Sequence, residues 1–251
     1  MHAVLGRDGP VPEVGDPLPH FWHWTQFWTI SAADGLGRDG HPKVGGFIPD
    51  MGLPRRMWAG GSLEFLEPLR VGAEAKRVST IANVVRKDGR SGPLAFVTVA
   101  HVISSGGTVC VKERQDLVYR EDVDPDAPPV AITSAPVDEH VKRVHSVTTT
   151  DLFRYSALTF NGHRIHYDLD YARDVEGYPG LVTHGPLLAQ WLIALAEREL
   201  SHLARFSFRA VAPVFHFEVV EVCAKRAGEG LEMWVRGPDG RLAMTAEAGS
   251  A

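Results

Sequence analysis

The chain has 251 residues, 44% of them hydrophobic, enough to bury one large core or two modest ones. Its 26 Lys and Arg against 31 Asp and Glu leave a formal charge of -5, with no basic stretch to hold a phosphate backbone, so no nucleic-acid partner is expected. Residues 1–19 carry Gly, Pro and acids where a signal peptide needs an apolar run, and no stretch reaches the roughly 18 apolar residues of a membrane span, so the expectation is a cytoplasmic protein with no membrane partner.

From the N-terminus, residues 21–30 read as a leading strand, because Trp22, Trp24 and Trp28 share a parity that places them on one face. Residues 45–61 hold five glycines and two prolines, a composition that forbids a stable helix. Strands follow over residues 63–65, 74–85, 94–103 and 109–119, with turn signals at Pro68, Lys87-Asp88-Gly89 and Ser104-Ser105-Gly106-Gly107. Residues 121–139 become acidic and rich in proline (Pro125, Pro128, Pro129, Pro136) and read as a linker between an N-terminal half, residues 1–120, and a C-terminal half, residues 140–251. Cys110 and Cys223 each sit in a strand-like run and read as reduced, packed thiols.

The second half repeats the rhythm, with a leading strand expected over residues 146–160 and strands over 206–211, 217–223, 231–235 and 242–246. Between them, residues 187–200 are apolar at almost every position, which predicts a helix buried on most sides. Pro186 suits the first helical position, so the helix begins at His184 or Gly185. Leu63, Phe65, Pro68 and Leu69 match Phe208, Ala210, Pro213 and Val214, a weak internal repeat that hints at a duplicated unit. The expected class is therefore α+β: a tandem, double hot-dog fold, antiparallel sheets wrapped around a buried helix, with the first-half helix degenerate.

The densest chemistry lies between Thr159 and Pro186, where Asn161, His163, His166 and Asp168 precede the helix N-terminus. His166 is the leading candidate for proton transfer, since imidazole titrates near neutral pH and works in either direction. Gly185 reads either as a simple helix cap or as an oxyanion donor, since unpaired N–H groups at a helix start favour developing negative charge and glycine allows close approach. His163-x-x-His166-x-Asp168 is only a loose metal spacing, so no metal is expected. Ser156 with His163 and Asp168 lacks a nucleophile elbow.

Phe160-Asn161-Gly162-His163-Arg164-Ile165-His166-Tyr167-Asp168, Gly177-Tyr178-Pro179-Gly180-Leu181-Val182 and His184-Gly185-Pro186-Leu187 together resemble the MaoC-like hydratases and dehydratases. Pro54-Arg55-Arg56-Met57-Trp58-Ala59-Gly60-Gly61 and Gly89-Arg90-Ser91-Gly92-Pro93-Leu94 are similar to the subgroup of mesaconyl-C4-CoA hydratases, itaconyl-CoA hydratases and 3-hydroxyacyl-thioester dehydratases. The resemblance spans nearly the whole chain, and because that subgroup begins further upstream it implies a missing N-terminal piece. It places His166 on the family's catalytic histidine. Asn161 stands where the broader R-specific hydratases carry an aspartate; an amide accepts no proton, so Asn161 would orient water or substrate. His163 or Asp168 is then left as the partner of His166.

The resemblance implies a hydro-lyase that adds or removes water across C2–C3 of an enoyl or 3-hydroxyacyl thioester. The expected substrate is a branched dicarboxylic one such as mesaconyl-C4-CoA or itaconyl-CoA, with citramalyl-CoA as product. The C-terminal half would hold the catalytic groups, and the N-terminal half would shape the acyl pocket. A second carboxylate would want a guanidinium, from Arg164, Arg173, Arg55 or Arg56; Trp58 and His184, in the matched motifs, are further candidate substrate contacts. No cofactor is called for, coenzyme A being the substrate's carrier, and acyl carrier protein is an equal possibility. The alternatives are a 3-hydroxyacyl-thioester dehydratase of fatty acid or polyketide metabolism, a hot-dog thioesterase, and a non-catalytic acyl-thioester-binding subunit. Two hot-dog units in one chain leave both monomer and homodimer open.

Overall fold

Period-two alternation builds the sheet: along residues 95–103, Ala95, Val97, Val99, His101 and Ile103 turn inward while their neighbours are more exposed. The computed structural model describes residues 1–89, 92–123 and 131–250. Its strands are β1 (Arg55–Phe65), β2 (Lys76–Gly89), β3 (Gly92–Ser105), β4 (Thr108–Arg120), β5 (Val141–Ser146), β6 (Arg205–Ala210), β7 (Val219–Ala227), β8 (Gly230–Arg236) and β9 (Leu242–Gly249). Two α-helices, α1 (Thr149–Thr159) and α2 (Gly185–Glu199), belong to the second half. Among the described residues of the first half, helical structure is limited to 3₁₀ turns at Trp22–Thr25 and Ala33–Gly35.

The strands form one antiparallel sheet in the order β2-β3-β4-β1-β6-β9-β8-β7-β5. The order β2-β3-β4-β1 is mirrored by β7-β8-β9-β6, and the two runs meet where β1 pairs β6, Leu63 opposite Phe206. The segments of the weak internal repeat end β1 and β6, which are equivalent positions in that mirrored order. Helix α2 lies against β6 to β9. Leu187, Leu188, Leu192 and Ile193 share a core with Phe206, Val222, Met233, Val235 and Met244. A side chain of that size contributes about 1.5–3 kcal/mol on full burial, so this helix anchors the half. It begins at Gly185 with Pro186 in the first turn, as its sequence predicts.

Both expected leading strands need correction. Residues 149–159 are helical because Thr148 and Asp151 form a reciprocal capping box and Leu152, Tyr155 and Ser156 fall on one buried helical face. The short strand β5, ahead of that helix, pairs with β7 instead. Around Trp22 the chain makes a 3₁₀ turn entered through Phe21 at φ 71°, so Trp22 is buried whereas Trp28 is 48% exposed. The turn expected at Lys87-Asp88-Gly89 is also displaced, since β2 runs to Gly89, opposite Gly92. Pro125, Pro128 and Pro129 of the expected linker lie outside the described residues, as do Arg90 and Ser91. The end of that linker is packed: Ala135 is buried beside Cys223 and Trp234, and Glu139 pairs with Arg236 at 2.5 Å. No helix among the described residues is long and apolar enough to cross a membrane.

Candidate active site

Helix α1 ends at Phe160, whose left-handed φ of 51° turns the chain back toward α2. Asn161 then closes an Asx turn, its Oδ1 accepting the His163 N–H at 3.0 Å. A 3₁₀ turn at Arg164–His166 carries His166 inward, where Nδ1 lies 2.7 Å from the Val182 carbonyl. A carbonyl only accepts, so Nδ1 holds the proton and Nε2 of the neutral ring is left with its lone pair. Burial lowers the His166 pKa to about 4, against a smaller opposing effect of that hydrogen bond. His184, the residue before α2, stacks on His166 with centroids 3.7 Å apart and is itself bonded to Ser156 Oγ at 2.8 Å. Burial also drives the His184 pKa well down.

A cavity of about 740 Å³ opens in front of these groups. Asn161, His163, His166 and Gly185 line it from the second half; Arg56 and Trp58 line it from β1. Gly185 is the first residue of α2, so its N–H has no intrahelical acceptor. A side chain there is barred, because a Cβ would come within 2.9 Å of the Trp58 ring. The cavity therefore brings together a proton-accepting imidazole, an amide able to hold water and a backbone N–H at a helix start.

Other sequence-based candidates sit elsewhere. Asp168 is not brought to His166: its carboxylate takes the Arg164 guanidinium at 2.7 Å and the Tyr171 N–H at 3.0 Å. Those two contacts, the backbone N–H first, hold its pKa below the usual carboxylate range. Arg164 is spent on Asp168, on the Arg38 carbonyl at 3.2 Å and on the Tyr171 ring at 4.3 Å, and it does not line the cavity. Arg173 is exposed, and among the described residues its one hydrogen bond is to the Pro179 carbonyl at 3.4 Å. Arg55 is buried against Glu176 at 2.6 Å. His184 is packed behind His166, outside the cavity lining. Ser156 bonds to His184 and not to His163, which removes the drawn triad. The loose metal spacing likewise comes apart once Asp168 is tied to Arg164.

Sequence reasoning picked out Arg56 and Trp58 but missed the other groups that the first half brings to the site. Asp39 and His41, from the glycine-rich segment ahead of β1, meet His163 with imidazole centroids 4.5 Å apart. These three are the one cluster of potential metal ligands among the described residues. Further along the cavity, Glu113 accepts from His23 at 2.9 Å, Trp24 at 2.8 Å and Gln115 at 2.8 Å, forming a buried polar wall with Arg77 and His101. Only the alternation of β3 and β4 could have flagged His101 and Glu113 as inward-facing.

The depressed His166 pKa has a consequence for stability. The unfolded histidine, with its ordinary pKa of 6.5, binds a proton that the folded one refuses down to about 4. Stability is therefore complete above pH 6.5 and is lost on acidification through that window, by about 1.4 kcal/mol per pH unit for this group. Urea midpoints should fall steadily from pH 6.5 to 4, and a His166→Gln variant should show a shallower fall.

Residues 21–216 match the family model described as hydroxyacyl-thioester dehydratase type 2. The mesaconyl-C(4)-CoA hydratase of Chloroflexus aurantiacus is 44% identical over 245 residues, 97% of this chain and 88% of that protein. The mitochondrial hydroxyacyl-thioester dehydratase type 2 of Schizosaccharomyces pombe is 26% identical, covering 85% of this chain and 79% of its own. Among solved structures, HtdX from Mycobacterium tuberculosis superposes with a TM-score of 0.71 at 17% identity, over 100% of this chain and 93% of that one. Another M. tuberculosis protein, described as having a double hotdog fold, gives 0.55 at 13% identity over 76% and 74% of the two chains. These two establish the fold alone, which is the double hot-dog that the mirrored sheet describes. By the family model over residues 21–216 and by its 44% identity to a relative over nearly its whole length, the chain belongs to the hydroxyacyl-thioester dehydratase type 2 family of MaoC-like proteins.

Proposed function

We propose that the protein is a hydro-lyase that adds water across the C2–C3 double bond of mesaconyl-C4-CoA to give citramalyl-CoA. The observation that carries the chemistry is that His166, Asn161 and Gly185 line one cavity. Hydration needs a water held at C3 and a donor at the thioester oxygen as it becomes enolate-like. Asn161 and His166 hold the water, Nε2 of His166 accepting one of its hydrogens. The Gly185 N–H, with the α2 dipole behind it, receives the oxygen. The kinship with a hydratase of that printed name supports the substrate.

A substrate with a free carboxylate also needs a cation in the cavity. Of the four arginines singled out by the sequence, Arg56 lines it, and among the described residues its side chain makes no hydrogen bond or ion pair. A charged hydrogen bond of this kind contributes about 1.5–3 kcal/mol. Arg56→Ala is thus expected to raise KM for mesaconyl-C4-CoA by roughly 10- to 100-fold, with much less effect on crotonyl-CoA. Equal changes for both substrates would remove Arg56 from carboxylate recognition.

The thioesterase reading gains nothing from α2, which carries no acid before Glu197, and that carboxylate is engaged by Arg7 at 2.5 Å and His20 at 2.8 Å. The test of the proposed function is loss of conjugated-thioester absorbance with mesaconyl-C4-CoA, itaconyl-CoA and crotonyl-CoA in turn, with products checked by mass spectrometry. Water addition fastest to mesaconyl-C4-CoA is expected. Release of free thiol would favour a thioesterase, and binding without turnover an acyl-binding subunit.

A further inference from the structure

Asn161 poses a chemical problem, because its amide can place a water but cannot take the proton that the water must lose. His166 takes up a proton with only a peptide carbonyl behind it. The first half brings a better-supported acceptor to the same cavity. Asp39 Oδ1 accepts the backbone N–H of His41 at 3.0 Å, and Oδ2 faces His41 Nδ1 at 2.9 Å. Beside a carboxylate, Nδ1 is the protonated nitrogen, so Nε2 of His41 carries the free lone pair. This is the arrangement in which a carboxylate fixes the tautomer of a base and stabilises the imidazolium that forms.

The pair is also locked in place. The Asp39 carbonyl accepts the Arg164 N–H at 2.9 Å, and Gly40 packs so closely on Gly162 that a Cβ would run into the Gly162 carbonyl. The His41 ring lies 4.5 Å from His163, which lies 5.5 Å edge-on from His166, so three imidazoles step along one wall. His163 Nε2 is buried without a partner among the described residues. We propose that His41, oriented by Asp39, is the catalytic base of the hydration, with Asp39 as its positioning residue.

This inference rests on the hydro-lyase reading. Water bound by Asn161 and His166 gives one proton to His41 Nε2 as its oxygen bonds to C3. The π pair moves to C2, with charge on the thioester oxygen at the Gly185 N–H. The His41 imidazolium, opposed by Asp39, then returns that proton to C2, so one water is consumed and every group ends as it began. Holding Asp39, His41 and His163 around a metal would require breaking the Asp39–His41 hydrogen bond first.

The groups facing His41 are Asp39 on its own loop, Arg56 on β1, and His163 and His166 on the segment after α1. Burial and the Arg56 charge lower the His41 pKa, and the Asp39 carboxylate opposes them. Burial would raise the Asp39 pKa, but the hydrogen bond and charge of His41 outweigh it and keep the carboxylate ionised. Removing that carboxylate must therefore lower the pKa of His41 further.

The experiment measures kcat and KM against pH for wild type, His41→Gln, His41→Ala and Asp39→Asn with mesaconyl-C4-CoA, with thermal melts as a fold check. His41→Gln is expected to lose about 10²–10⁴-fold in kcat with KM little changed, and added imidazole should restore part of the activity of His41→Ala. Asp39→Asn, the variant least able to disturb folding, should lower kcat and move the acid limb of the profile to lower pH, which a merely structural contact would not do. Wild-type kcat in His41→Gln, or an unmoved acid limb in Asp39→Asn, would overturn the assignment. So would stoichiometric zinc in the wild type whose chelation abolishes turnover. Failure of the wild type to hydrate any enoyl thioester would instead sink the underlying reading.

Discussion

Replacing His166 with alanine is expected to lower kcat for mesaconyl-C4-CoA hydration by about 10²–10⁴-fold while leaving a folded protein. The loss follows from placement: with Nδ1 donating to Val182, Nε2 is the only ring atom left to hold the water, and Asn161 alone cannot fix its direction. The substitution also leaves the buried Val182 carbonyl unpaired, at about 1–3 kcal/mol, and removes the ring stacked on His184. Circular dichroism and a melt must therefore accompany the kinetics. A folded His166→Ala variant within tenfold of wild type would remove this residue from the chemistry. With His41 as base, the doubly substituted enzyme should be little worse than the poorer single variant, because the two side chains act on one water.

The largest effect on stability is expected at Arg55. Its guanidinium is buried on β1 and meets Glu176 at 2.6 Å, while Tyr171 donates its hydroxyl to the other carboxylate oxygen at 3.3 Å and the Tyr178 ring lies 5.8 Å away. Arg55→Met strands a buried carboxylate, which costs about 3–5 kcal/mol. Denaturant unfolding monitored by tryptophan fluorescence should show that loss, and a change below about 1 kcal/mol would mean that Glu176 finds water or another partner. The second variant, Arg55→Met with Glu176→Leu, should recover most of the stability, since an apolar pair of similar volume avoids the desolvation that the ion pair must offset. Because Glu176 lines the cavity, KM in these variants reports whether the pair also shapes the acyl pocket.

Much of the fold was legible in local pattern. The strands of β2 to β4 and β6 to β9 announce themselves by alternation and turns, and α2 by an unbroken apolar run after Pro186, because burial on one face or on all faces leaves a period in the residues themselves. The same logic misread residues 149–159: three consecutive threonines look like strand, and only the Thr148-x-x-Asp151 capping pair marks a helix start.

At the site, sequence by itself determined the loop that holds Asn161, His163 and His166 and the glycine that opens α2, since all of these are set by neighbours within a few residues. Tertiary structure decided what each side chain does. The pairing of Asp168 with Arg164, four residues away, is the local exception, an i,i+4 contact that takes Asp168 from His166. Arg56 faces the cavity while Arg55, beside it on the same strand, is buried against Glu176. Asp39 and His41, from a segment with no period at all, came to rest beside His163. Contacts across more than a hundred residues leave no periodic trace, because they are fixed by the close approach of two backbones, Gly40 on Gly162, and by the hydrogen bonds that form once the sheet has brought those backbones together.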